Sequence, residues 1–93
     1  MDTGELFLDT LRLRDEAGVE HCFDYYIVLG HLELEEYSGE SYGVKIEEKE
    51  TGEVALAPHV TCRSSVIYHL AQTLLVHQVT PCTLVDVVQD WIG

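Results

Sequence analysis

Glu5 to Arg14, ELFLDTLRLR, sets Leu and Phe among charges at near-alternate positions, the period-two pattern of a β-strand. DEAG follows, with Gly18 able to take the positive φ that a short hairpin turn requires. A longer strand begins at about Val19. Its apolar residues fall at Val19, Phe23, Tyr25, Ile27 and Leu29, then change phase after Gly30 to Leu32 and Leu34. One extra residue at Gly30 would return both sets to one face, so the pattern predicts a β-bulge or sharp bend there. The competing reading is a break, with Leu32 and Leu34 in a separate short strand. Within this segment YYIVL is apolar at consecutive positions, so Tyr26 and Val28 face away from Tyr25 and Ile27. A strand apolar on both faces is usually covered on both sides, and this chain is too short to supply both covers.

After the polar connection EEYSGESYG, Tyr42, Val44 and Ile46 mark one face of a third strand, with Lys45, Glu47 and Lys49 on the other. KETGE reads as a turn with Gly52 in the left-handed position. Val54 and Leu56 are expected to resume the core face, with Ala55 and Ala57 opposite, and Pro58, which has no N–H to donate, to end the strand. The period then changes. Thr61 can cap a helix in which Ile67, Leu70, Ala71, Leu74 and Leu75 form an apolar stripe ending near Gln78. Thr80 and Pro81 suit the start of a second helix carrying Leu84, Val87, Val88, Trp91 and Ile92, with Asp86 near its positive end. The expected fold is α+β: an antiparallel sheet of about four strands in two hairpins, then two C-terminal helices packed on one face. Residues 1–93 form a single domain of ordinary size.

Charge narrows the function classes. Seventeen acids face five bases, a formal net charge of −12. Such a field repels phosphate backbones and anionic lipid, so no direct nucleic-acid or membrane contact is expected, whereas a basic partner protein would be attracted. No apolar run approaches the ~18 residues that span a bilayer, and no signal-peptide pattern opens the chain. Cys22, Cys62 and Cys82 are an odd set without a close pair, which fits free thiols in a reducing cytoplasm.

Candidate chemistry is sparse. His59-x₂-Cys62 is the one close metal-like spacing, without the second pair that structural zinc sites show. His69 and His77 lie too far apart to share an ion. Cys62 and Cys82, expected in the first turns of helices where a thiol pKa can fall, are mild reactivity candidates. Nothing resembles a nucleophile elbow, a P-loop or an EF-hand loop. The expectation is therefore no enzyme, no catalytic residue, no cofactor and no metal. What remains is surface: the sheet face opposite the helices should show some of Leu6, Leu8, Cys22, Tyr26, Val28, Ala55 and Ala57, unless a terminus or residues 35–42 fold over it. Leu6, Leu8, Tyr26 and Val28 are the candidate interaction surface, for a homodimer or a basic partner protein. The alternative is a small-ligand or metal-binding domain using His59, Cys62 and nearby acids.

YGVKIEEK and the terminal VTPCTLVDVVQDWIG resemble a family of short proteins from Gram-positive anaerobes known only as a domain of unknown function. The likeness runs from about Tyr42 to the end. It implies a bacterial, cytosolic setting and supplies no activity, ligand or catalytic residue.

Overall fold

Four antiparallel strands in sequence order make one sheet: β1 (Gly4–Arg14), β2 (Glu20–Glu33), β3 (Ser38–Glu48) and β4 (Val54–Thr61). Helices α1 (Ser64–Val76) and α2 (Leu84–Ile92) complete the chain. The computed structural model describes residues 4–36 and 38–92. Each connection within the sheet is a hairpin, and the turns carry the glycines the pattern asked for: Gly18 at φ 83° and Gly52 at φ 75°. Asp15 organises the first turn by accepting from the backbone N–H groups of Ala17 and Val19.

Both helices lie on one face, over Phe23, Tyr25 and Ile27 of β2 and Val44 and Ile46 of β3. The α1 stripe Ile67, Leu70, Ala71 and Leu74 is buried against them, joined by Val79, Leu84 and Val88. The Tyr25 hydroxyl donates to the carbonyls of Val79 and Leu74, tying the helix–helix connection to the sheet. Burial pushes the Tyr25 phenol pKa up, so it stays a donor. The molecule measures 18 Å across its thinnest dimension, room for one helix layer on one sheet layer and no third.

Several local expectations are corrected. β2 pairs with β3 without interruption through Gly30↔Ser41 to Glu33↔Ser38, so Gly30 is neither bulge nor break. Residues 38–42 belong to β3 and lengthen that hairpin instead of folding over the sheet. The irregularities lie elsewhere: between Phe7 and Asp9 in β1, and where β4 runs past Tyr42–Val44. Pro58 does not end β4, because β4 is an edge strand where a missing N–H costs no ladder bond. The facing of β4 is the reverse of that expected. Ile46 pairs with Ala55 and Val44 with Ala57, so the alanines sit on the helix side while Val54 and Leu56 point the other way. The helices thus press on β4 where its side chains are small, and α2 packs beside it. Both helices start later than expected. Thr61 accepts a hydrogen bond from the Arg63 N–H, Arg63 is the N-cap of α1, and turns over 81–83 precede α2. Cys62 and Cys82 accordingly lie before the helices, exposed, and not in their first turns.

Candidate interaction surface

The cross-strand register decides which side chains share the face without helices. They are Glu5, Phe7, Thr10, Arg12 and Arg14 from β1, Cys22, Asp24, Tyr26 and Val28 from β2, Ser41, Gly43, Lys45 and Glu47 from β3, and Val54 and Leu56 from β4. Phe7, Tyr26, Lys45 and Leu56 occupy one row that crosses all four strands. Phe7 meets Tyr26 edge to face with centroids 5.7 Å apart, and the Lys45 ammonium lies 4.5 Å from the centre of the Tyr26 ring. Glu5 holds that ammonium at 2.7 Å, so the lysine lies flat along the row with its stem covering apolar surface. Phe7 is 52% exposed, Val54 49% and Leu56 45%.

Two of the four residues assigned to this face from the sequence are on it: Tyr26 and Val28, both half-buried. Leu6 is not. It pairs with Ile27, on the helix side, and stays exposed near the open end of β1. Leu8 is the extra residue of the irregularity between Phe7 and Asp9 and packs against the core. That irregularity turns Phe7 outward. Phe7, Val54 and Leu56 are thus the apolar members that alternation alone assigned elsewhere or left out.

Charge is distributed unevenly. Four of the five bases belong to this face: Arg12, Arg14, Lys45 and Lys49, whose ammonium reaches the buried Asp24 carboxylate at 3.6 Å. Four acids accompany them, Glu5, Glu20, Asp24 and Glu47. The face is therefore close to neutral on a chain of net charge −12.

At the Val28 end the face is closed by a feature the sequence did not announce. β4 rides over Gly43, where a Cβ would stand 2.3 Å from the Ala57 carbonyl oxygen and 2.8 Å from Pro58 Cα. This brings His59, held at φ 54°, over Ser41, whose hydroxyl is 2.5 Å from His59 Nδ1. Gly30 leaves room for the ring, 3.4 Å from where its Cβ would be. Val28, Pro58 and His31 help to line a cavity of about 300 Å³ beside this pair. The hydroxyl and imidazole face each other directly at the cavity's rim. Cys62 does not line this cavity.

The other polar cluster lies on the helix side at the hairpin end. His21 places Nδ1 2.8 Å from Glu48 and Nε2 2.9 Å from Asp15. The hydrogen bond to Asp15, then that to Glu48, raises the His21 pKa above its ordinary 6.5, and the same contact lowers that of Asp15. Glu50, whose own pKa is lowered by the Cys22 N–H it accepts, completes a group whose spacing would suit a cation. Both imidazole nitrogens are already committed to carboxylates, however, and neither His59 nor Cys62 belongs to the group. Among the described residues no helix is long and apolar enough to cross a membrane.

A family model described as a family of unknown function, DUF6514, matches residues 5–93. The chain belongs to that family, and the match takes in the first three strands as well as the segment from Tyr42 onward. Comparison with curated proteins and with solved structures gives no significant match.

Proposed function

Starting from membership of a family to which no activity is attached, we propose that this chain is a non-enzymatic protein-interaction domain that works through the sheet face its helices leave bare. The observation that carries the reading is the row Phe7–Tyr26–Lys45–Leu56, an aromatic and aliphatic stripe across all four strands on the face opposite the helices. A contiguous apolar stripe rimmed by polar groups marks an interaction surface, and mixed aromatic, aliphatic and charged surface is what interface cores and rims use. Lysine lying over tyrosine keeps the patch wettable in the free protein. Site-specific photocrosslinking in the producing cell tests this. A photoreactive residue at position 7 should give discrete crosslinked products that one at Val76, exposed on α1, does not. Equal yields at both positions would overturn the reading.

A second reading is favoured by the His59 cavity, which offers an imidazole and a hydroxyl at the rim of an apolar recess suited to a small ligand. It predicts that His59→Ala abolishes ligand-induced amide shifts centred on Gly30, Ser41 and His59 in a fragment screen by NMR. A screen in which no fragment moves those signals removes it.

A further inference from the structure

Resting on the interaction reading above, we infer that the partner of the bare face is a second copy of this chain. An isologous interface must be complementary to itself, so its charges must balance within one patch. This face does so, with four bases against four acids, and it holds every base of the chain except Arg63. Thirteen acids and one base lie elsewhere in the sequence. Two copies therefore repel through most of their surface and can approach closely where they meet face to face. A strongly basic partner would be drawn to the remaining acids, many of them on the tip and turn segments Glu33–Glu36 and Glu48–Glu53, and away from the face where the bases are gathered.

The free groups fit the same occupant. Lys45 and Lys49 are matched within the molecule by Glu5 and Asp24. Among the described residues Arg12, Arg14, Glu20 and Glu47 have no ion-pair partner, two of each sign at one end of the face. A two-fold axis through that end of the face would set the bases of one copy against the acids of the other. Size agrees as well. Four strands about 4.8 Å apart and some nine residues of about 3.3 Å rise give a projected face of roughly 600 Å², of the order of the ~800 Å² per partner in a standard interface. Two such sheets packed face to face, about 10 Å apart, would make a four-layer helix–sheet–sheet–helix dimer.

Sedimentation equilibrium on the purified full chain, from low to several hundred micromolar and from about 0.05 to about 0.5 M salt, tests the inference. The expected result is a monomer–dimer equilibrium that tightens several-fold as salt screens the general repulsion. Phe7→Lys and Leu56→Lys, which lower the net negative charge while spoiling the row, should each abolish the dimer. Val76→Lys should leave it intact or tighten it. Circular dichroism confirms that each variant is folded, and either row variant suffices if the other does not fold. A monomer at every concentration overturns the second copy as partner. If position 7 still crosslinks to a different protein, the interaction reading survives that result. If position 7 crosslinks no more than position 76, both fail. A dimer that weakens with salt, or that persists in the folded row variants, also overturns the inference.

Discussion

Replacing Gly43 with alanine probes the crossing that shapes the bare face. The added methyl would stand 2.3 Å from the Ala57 carbonyl oxygen and 2.8 Å from Pro58 Cα, both backbone atoms of β4. A carbon and a carbonyl oxygen ordinarily approach no closer than about 3.3 Å, the limit even of weak C–H···O contacts, so β4 must move by roughly 1 Å. No side-chain rotation relieves the clash. Overpacking of this kind costs about 1–3 kcal/mol, and moving β4 also disturbs the Ser41–His59 contact. For a domain of this length 1 kcal/mol corresponds to roughly 4–8 °C in Tm, so a fall of about 8–16 °C is expected for a 2 kcal/mol loss. Thermal melting followed by circular dichroism measures it, with Gly4→Ala as control, since a Cβ there meets only Leu29 Cδ1 at 3.8 Å. A Gly43→Ala melting temperature within about 2 °C of that control would refute the close crossing of β4 over β3.

The remaining predictions concern other supports of the fold. His21 should titrate above 6.5 by NMR, because Asp15 and Glu48 both stabilise its imidazolium. A raised folded-state pKa means stability that is present below the unfolded value and lost as pH rises through the folded one, so Tm should fall across that window. His21→Gln should remove the dependence, and a pKa at or below 6.5 would contradict the double clamp. Tyr25→Phe leaves the Val79 and Leu74 carbonyls without the hydroxyl that reaches them and should cost about 1–3 kcal/mol in denaturant unfolding. An unchanged midpoint would show that bond to be dispensable. On β4, Ala57→Leu should destabilise by about 1–3 kcal/mol through overpacking under the helices, whereas Leu56→Ala should alter monomer stability by less than about 1 kcal/mol. The opposite ranking would restore the facing that simple alternation suggests.

Much of the architecture is legible in residue spacing. Tyr25, Ile27, Val44 and Ile46 announce the core face by period two, and Ile67, Leu70, Ala71 and Leu74 announce the covering helix by period 3.6, because each set has unambiguous large apolar members. The turns are legible for a similar reason, since Gly18 and Gly52 occupy backbone conformations other residues resist. The errors fall where local pattern is degenerate. VALA alternates large with small, and size suggests that Val54 and Leu56 are the core members. Register is set instead by the turn, where the Glu48 N–H donates to the Glu53 carbonyl, and it places Ala55 and Ala57 against the core under the helices. LFL has three consecutive apolar residues, so a single irregularity exchanges the roles of Phe7 and Leu8 without any polar residue to reveal it. His59 is the hardest case. It sits at φ 54° with its ring against Gly30, beside the crossing of β4 over Gly43, both far from it in sequence, and no local rule points to it.

The claim that the bare face is the meeting surface is read most directly by hydroxyl-radical footprinting of the purified protein at low and high concentration. Phe7 lies on that face, whereas Tyr68 and Trp91 are exposed on the helices. Oxidation of Phe7 should fall several-fold as concentration rises, together with that of Tyr26, while Tyr68 and Trp91 react at a constant rate. Unchanged reactivity at Phe7, or protection of Tyr68 and Trp91 in its place, would contradict the account.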